Sequence, residues 1–571
     1  MRAKYVFRIR ILSLFFCAFA LALAGRLYFV QIVDGSAYEA RADRQHVHQS
    51  EGIFDRGSIF FKDKRDNLIS AATLQSGFFL TINPTLIDDA EALYATLSPL
   101  LPLEQEAFIA RASKKEDTYE EITHRIPKEI AEKIDALLIP GLHLYKEQWR
   151  FYPGNSLAAQ VIGFLSYQAG GTTIAGSYGL EKQYDAVLER HRENLYANFF
   201  AQVFSDLKAA QRGAAAEGDL ITTIEPTVQV HLEEVLRGIK EKWNSKLIGG
   251  IVIDPETGAI YAMGNYPTFD LNRFSEVGSA TVFDNPLVQN VYEMGSIIKP
   301  LTMAAGIDAG VVTATTTYSD KGTITLNKKT ISNFDGKARG VVPMQEVLSQ
   351  SLNVGAAEVM LRLGRERFSQ YFRAYGFGAK TGIDLPGEVR GLVDTSLGSP
   401  RDIEHANAAF GQGIGLTSVQ TVRALSALGN GGTLPTPHVV AGIHSKLGFT
   451  DEVAYPKGER VLSERTSEEI TRMLVKVVDE ALAGGAVKLE HYSIAAKTGT
   501  AQIAKQGGGG YYEDRYLHSF FGYFPAYDPR FLVFLFQVEP QGAQYASATL
   551  TEPFMDMTKF LINYYDISPD R

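Results

Sequence analysis

Three short motifs in this chain supply the residue types that acyl transfer to a serine requires. They are Ser296-Ile297-Ile298-Lys299, Ser351-Leu352-Asn353 and Lys497-Thr498-Gly499-Thr500, in that order along the chain. A serine hydroxyl is a poor nucleophile until a nearby base takes its proton, and a lysine one helical turn away can act as that base. The intermediate then needs donors for its oxyanion, and a cation can hold a substrate carboxylate. The ordered triple therefore predicts a site that forms an acylserine.

Each motif alone is weak evidence, because the chain contains second copies of two of them. Another S-x-x-K occurs at Ser205 and Lys208, in a polar stretch, and another K-T-G begins at Lys380, in the turn-rich segment 377–387. The S-x-N spacing occurs once, from Ser351 to Asn353. The prediction therefore depends on the order and context of the three motifs together.

The residues around the first motif indicate how Ser296 is positioned. Gly295 permits a sharp turn before it, and Pro300 is compatible with the first turn of a helix, where amides lack intrahelical partners. The apolar run from Leu301 to Ile307 continues that helix. The pattern predicts Ser296 at a helix N-terminus, with Lys299 on the same face.

The third motif follows a run that is typical of a strand, residues 492–496. Ala496, Gly499 and Ala501 are small, so the backbone of a substrate could approach this strand closely. An extended peptide could then bind as an additional strand.

Composition excludes several other classes of protein. The chain has 571 residues, 45% of them hydrophobic and 21% charged, which are ordinary values for a globular protein of more than one domain. A net charge of −9 gives no indication of a nucleic-acid partner. The one cysteine, Cys17, cannot form an intramolecular disulfide, and the eleven histidines show no spacing typical of a metal site.

The N-terminus predicts a membrane anchor. Residues 1–10 are basic, and the apolar stretch 11–33 is long enough to span a bilayer, with Arg26 near its far end. The basic flank places the N-terminus in the cytoplasm and the remainder outside. A cleaved signal peptide is the alternative, because Ala22-Leu23-Ala24 resembles a peptidase site.

The remainder divides into a region 34–225 and a domain 226–571. The second begins with a helix at Pro226, followed by two strands around the turn 255–258. Three more strands, predicted over 491–500, 518–524 and 531–538, and a closing helix lie at its C-terminal end, with helical segments in the middle. This order predicts an α+β domain with an antiparallel sheet whose strands come from both ends of the sequence.

The chain resembles the class B penicillin-binding proteins, membrane-anchored monofunctional D,D-transpeptidases of bacterial peptidoglycan synthesis. Besides the catalytic motifs, the resemblance is carried by the segments 56–59, 150–153, 179–181, 254–258, 295–300, 381–388, 411–413 and 497–502. It implies a five-stranded antiparallel sheet flanked by helices, after an elongated mixed α/β pedestal of the dimerisation type. The segment 60–65 departs from the family's pattern, because a short Asp-Arg-x-Gly turn usually follows the segment that corresponds to 56–59.

The resemblance also implies a role for each residue. Ser296 would attack the penultimate D-alanine of a stem peptide, Lys299 would be the base, and Ser351 would pass a proton to the leaving amine. Asn353 would bind the substrate amide. Lys497 would be the nearby cation that lowers the pKa of Lys299. Thr498 and Thr500, with Gly499 between them, would hold the terminal carboxylate, and the backbone N–H groups of Ser296 and Thr500 would form the oxyanion hole.

The implied partners are peptidoglycan stem peptides, β-lactams, the membrane and a separate SEDS-type glycosyltransferase, with no metal and no organic cofactor. The implied location is the bacterial cytoplasmic membrane, crossed once, with the catalytic domain on the periplasmic side. A septal role is favoured over an elongation role. A serine β-lactamase and a catalytically idle wall-binding scaffold remain alternatives, whereas a β-lactam receptor would need further spanning helices.

Overall fold

The computed structural model describes residues 55–168, 174–190, 217–445, 448–505 and 507–571. The expected cytoplasmic tail, 1–10, and the expected anchor, 11–33, lie outside these ranges. Within them, no helix is both long enough and apolar enough to cross a bilayer.

The strands, in chain order, are β1 (Ile59–Lys62), β2 (Leu68–Ile82), β3 (Glu120–Ile126), β4 (Leu142–Phe151), β5 (Leu165–Tyr167), β6 (Ile174–Gly176), β7 (Gly218–Thr222), β8 (Leu247–Ile253), β9 (Ile260–Tyr266), β10 (Thr317–Asp320), β11 (Thr323–Leu326), β12 (Lys329–Ser332), β13 (Gly340–Pro343), β14 (Val440–Ser445), β15 (Thr450–Glu452), β16 (Ala495–Ala504), β17 (Tyr511–Phe524) and β18 (Phe531–Val538). The helices are α1 (Ala90–Leu97), α2 (Gln105–Ala112), α3 (Lys128–Asp135), α4 (Ala159–Ile162), α5 (Gly179–Gln183), α6 (Asp185–Leu188), α7 (Pro226–Trp243), α8 (Pro286–Gln289), α9 (Lys299–Asp308), α10 (Gln345–Ser349), α11 (Asn353–Leu363), α12 (Arg365–Ala374), α13 (Asp394–Leu397), α14 (Asp402–Ala408), α15 (Ser418–Ser426), α16 (Glu464–Lys476) and α17 (Ala546–Tyr564).

Residues 74–150 form one compact unit. Its sheet pairs β2 with β3 in antiparallel register, and β4 also pairs with β2. Leu80, Leu97, Phe108 and Ile134 are buried together between this sheet and helices α1 to α3. The unit therefore has its own hydrophobic core.

Residues 56–73 and 151–571 form the second compact unit. Two of the segments that carry the family resemblance meet inside it, because Arg56 Nε lies 2.7 Å from Glu181 Oε2 and both side chains are buried. Removal of either partner of a buried ion pair destabilises the fold, because the remaining charge would stay buried without a partner. This pair fixes the start of β1 to helix α5.

The central sheet of the second unit has five antiparallel strands in the order β16-β17-β18-β8-β9. The predicted α+β fold and antiparallel sheet are therefore confirmed. Strand β18 is buried on both faces, and this explains why its sequence is almost continuously apolar. Val533 and Leu535 pack with helices α7 and α17 on one face, whereas Phe534 and Phe536 join the larger core on the other. Alternate side chains of a strand point to opposite faces, and here both faces are buried.

Candidate active site

Ser296 lies in a tight turn and not in the regular helix that the sequence predicts. Residues Gly295–Ile298 form a 3₁₀ turn, in which the Lys299 N–H donates to the Ser296 carbonyl, and helix α9 begins at Lys299. The tighter turn keeps Ser296 and Lys299 one turn apart. Pro300 occupies the first turn of α9, as predicted.

Glycines lock this turn against its neighbours. Gly295 has φ +66°, and its N–H donates to Gly411 O over 3.2 Å. A Cβ at Gly411 would lie 2.2 Å from Gly295 O, so a side chain there is excluded. Ser519 Oγ, on β17, donates to Met294 O over 2.8 Å and ties the other side of the turn to the sheet. The position of Ser296 is thus fixed from two directions.

Gly499 is required for a reason that differs from the predicted one. A Cβ added there would lie 2.3 Å from Ser519 Oγ and 2.7 Å from Met294 O, so it would point into the protein and not toward a substrate. The absence of a side chain lets strand β16 pack against the Ser296 turn.

We expect Gly499→Ala to displace the Ser296 turn, because backbone Met294 O cannot yield cheaply. Overpacking of this kind costs about 1–3 kcal/mol. The free energy of unfolding should fall by about that amount, and β-lactam acylation of the folded fraction should slow. Chemical denaturation and acylation kinetics would measure the two effects. Gly278→Ala is the matched control, since an added Cβ there meets nothing within 4 Å. Equal stability of the two variants would contradict the packing argument.

Ser351 lies in the connection between helices α10 and α11 with a φ of +55°, and α11 begins at Asn353. Asn353 Nδ2 donates to Ser332 O over 2.9 Å, and Asn333 Oδ1 accepts from Val354 N over 3.1 Å. The Asn333 side chain, from outside the helix, therefore satisfies one free N–H group in the first turn of α11, and the Asn353 side chain ties that turn to the end of β12.

The hydroxyl of Ser351 brings the two motif lysines together. Lys299 Nζ donates to Ser351 O over 2.6 Å and to Ser351 Oγ over 3.1 Å. Lys497 Nζ lies 3.1 Å from the same Oγ and 2.8 Å from Thr498 O. One hydroxyl thus lies between two amines, each of which is buried.

Burial lowers the pKa of both amines, because a desolvated ammonium is unfavourable. The pKa of Lys497 falls to about 7 for this reason. Burial also lowers the pKa of Lys299 well below its usual range, and the neighbouring charge of Lys497 lowers it further. The arrangement therefore favours a neutral amine at Lys299, as a base requires.

These groups border an open cleft of about 810 Å³. Six of the predicted residues line it: Ser296, Ser351, Asn353, Lys497, Thr498 and Thr500. Lys299 and Gly499 lie beneath this surface. Thr500 Oγ1 accepts from the Ala546 N–H over 3.0 Å, which leaves its hydroxyl proton available for donation. The residues that line the cleft, all within the described ranges, include no carboxylate, so its charge suits an anionic substrate.

Sequence reasoning missed several residues of this cleft. Arg339 lines it, as do Phe334 and Tyr545, whose rings meet at 5.9 Å between centroids. Phe334 is 54% exposed and Tyr545 41% exposed, although both are large and aromatic. No local pattern marks them, because the cleft brings together segments that are distant in sequence.

Among the described residues, no group of His, Cys, Asp and Glu side chains is arranged to hold a metal ion.

Comparison with known proteins assigns both parts of the chain. Residues 248–557 match the family described as penicillin binding protein transpeptidase domain, and residues 55–193 match the penicillin-binding protein dimerisation domain. The first match covers more than half of the chain.

Relatives and solved structures agree with this assignment. Stage V sporulation protein D of Bacillus subtilis is 29% identical over 93% of this chain and 81% of its own length. The probable peptidoglycan D,D-transpeptidase PenA of Neisseria gonorrhoeae is 26% identical over 97% of this chain and 92% of its own. Penicillin binding protein 3 of Mycobacterium tuberculosis, in complex with aztreonam, shares the fold with a TM-score of 0.69 and 23% identity, over 90% of this chain and 97% of that structure. The catalytic motifs, the five-stranded sheet and the two matched domains show that this chain belongs to the class B penicillin-binding proteins, the transpeptidases of peptidoglycan synthesis.

Proposed function

We propose that this chain catalyses the D,D-transpeptidation of peptidoglycan stem peptides, with Ser296 as the nucleophile. Ser296 Oγ attacks the carbonyl of the penultimate D-alanine, and the terminal D-alanine leaves as an amine. The amine of a second stem peptide then attacks the acylserine, which releases Ser296 and forms the cross-link. The observation that supports this best is the Ser351 hydroxyl, 3.1 Å from both lysine amines beside a cleft that Ser296 lines.

In this proposal, Lys299 accepts the proton of Ser296. Its pKa must fall from about 10.4 toward neutrality for the neutral amine to be present. Its burial and the neighbouring Lys497 lower the pKa in that direction. Ser351, in contact with both amines, passes a proton to the leaving amine.

The remaining residues bind the substrate. Thr498 and Thr500 donate to the terminal carboxylate of the donor peptide, and Asn353 binds its amide. The backbone N–H groups of Ser296 and Thr500 hold the oxyanion, where loss of one donor typically costs about 3–4 kcal/mol. Strand β16 is the edge of the five-stranded sheet, so an extended peptide can lie alongside it.

β-Lactams are proposed to acylate the same serine, because their carbonyl is held as the peptide's would be. The solved structure of Mycobacterium tuberculosis penicillin binding protein 3 contains aztreonam, and another contains ampicillin. Those ligands belong to that protein, and its fold is the one described here.

We propose the domain boundaries and cellular context on the same basis. Residues 1–10 form a cytoplasmic tail, 11–33 a single membrane span, 34–225 the non-catalytic pedestal and 226–571 the catalytic domain outside the membrane. A septal role and a SEDS-type glycosyltransferase partner complete the proposal.

Replacing residues 11–33 with an unrelated spanning segment should weaken co-purification with the glycosyltransferase. Unchanged co-purification would exclude a role for this segment in binding the partner.

The lifetime of a penicillin adduct tests the proposed activity. Intact-protein mass after incubation with benzylpenicillin should show one adduct that persists for many minutes. Rapid loss of the adduct would indicate a β-lactamase instead. Folded protein without any adduct would indicate a scaffold that has no acyl-transfer activity.

A further inference from the structure

The conformation of Ser351 is one that a residue with a side chain rarely adopts. Its φ of +55° lies in the left-handed region, and such residues persist only where their surroundings hold them. The hydroxyl must stay within 3.1 Å of both Lys299 Nζ and Lys497 Nζ for the proposed proton transfer. Contacts next to Ser351 must therefore hold this turn.

Gln350, which directly precedes Ser351, is held at both ends of its amide. Its Oε1 accepts from Arg339 Nε over 2.8 Å, and its Nε2 donates to Glu346 Oε2 over 2.7 Å. Glu346 belongs to α10, the helix before the turn. Arg339 comes from outside that helix and so fixes the turn to a second segment.

Arg339 is itself held rigidly. Its Nη1 and Nη2 donate to Asp335 Oδ1 and Oδ2 over 3.2 and 2.8 Å, and Nη1 also donates to Lys337 O over 2.8 Å. Its hydrogen bond to Asp335 lowers the pKa of that carboxyl, so the pair stays charged. With Gln350, four of the five guanidinium donors are used. Only a planar fork can make these bonds together, and a lysine cannot.

We propose that Arg339 is a positioning residue, which holds the Ser351 turn in its catalytic conformation through Gln350. The proposal rests on the proposed role of Ser351 in proton transfer. Arg339 also lines the cleft, so direct binding of a substrate carboxylate is the rival role. The two roles differ because positioning affects the chemical step, whereas direct binding affects the affinity.

Rapid-mixing kinetics with benzylpenicillin separate these roles, since they resolve the dissociation constant of the first complex from the acylation rate constant. We expect Arg339→Gln to lower the acylation rate constant by about 10- to 100-fold, as a displacement near 1 Å can. The dissociation constant should change by less than about twofold, as binding contacts would remain. Arg339→Lys should lose as much rate as Arg339→Gln. A raised dissociation constant with an unchanged rate, or full activity in Arg339→Lys, would overturn the proposal.

Arg373→Gln is the matched control, because it removes one exposed cation paired with a carboxylate, Asp394. It should leave both constants unchanged. A loss of rate equal to that of Arg339→Gln would show that removal of any positive charge slows acylation, and it would overturn the proposal.

Gln350→Ala provides the second test, and it still decides the question if Arg339→Gln fails to fold. Its acylation rate should fall, with no further fall in the double variant Arg339→Gln/Gln350→Ala. A normal rate in Gln350→Ala, or additive losses in the double variant, would overturn the proposal. Failure of the unsubstituted protein to acylate would instead refute the proposed function.

Discussion

Ser296→Ala is expected to eliminate covalent labelling by benzylpenicillin while the protein remains folded. The substitution removes the attacking oxygen. The Ser351 hydroxyl, which lies 3.1 Å from both lysine amines, serves in proton transfer in the proposed mechanism and does not replace the nucleophile. Acylation should fall below detection, a loss of at least about 10⁴-fold, by analogy with the loss of a nucleophile in other acyl-transfer enzymes. Intact-protein mass spectrometry would measure the adduct directly.

Ser205→Ala is the informative control, because Ser205 belongs to the other S-x-x-K sequence of the chain. Its adduct should form at the rate of the unsubstituted protein. A persistent adduct on Ser296→Ala would refute the assignment of the nucleophile, and peptide mapping would then locate the serine that reacts.

Lys299→Met should slow acylation by about 10²–10⁴-fold, the range for loss of a general base. Methionine has a similar length and fits a buried position, so the loss would come from chemistry and not from packing.

The acylation rate of the unsubstituted protein should rise with pH on the acidic side of its pH profile, as the coupled amines of Lys299 and Lys497 lose their first proton. Because burial lowers the pKa of both, this rise should occur well below pH 10.5.

Stopped-flow acylation across pH would measure this dependence in both proteins. In Lys299→Met the acidic limb attributed to Lys299 should disappear along with the fast rate. An unchanged limb in that variant would assign the titration to another group. Full activity in Lys299→Met would exclude Lys299 as the base.

The strongly patterned elements were predictable from sequence, because local physics determines them. Helix α7 begins at Pro226 as expected, and β18 covers the predicted run from Phe531 to Val538. Strand β16 was predicted over 491–500 but extends over Ala495–Ala504. Its length depends on pairing with β17 beyond the glycine segment 507–510, which local pattern does not reveal.

The parts of the site that sequence could not predict depend on tertiary contacts. The 3₁₀ turn at Gly295–Ile298 depends on its contacts with Gly411 and β17. Arg339 has no motif around it, and its contact with Gln350 depends on how the segment after β12 returns to the α10–α11 connection. Motifs identified the chemical groups, but not the side chains that hold them in place.

The order of the central sheet has a consequence for folding kinetics. Strands β18 and β8 pair with each other although they lie at opposite ends of the domain sequence, and Phe534 is opposite Ile251. Pairings so distant in sequence form slowly, because loop closure costs entropy before any contact compensates for it. The cleft depends on β16, which joins the sheet through β17 and β18. We therefore expect competence for penicillin labelling to appear only at the end of refolding, so labelling would count the molecules in which the whole domain has folded.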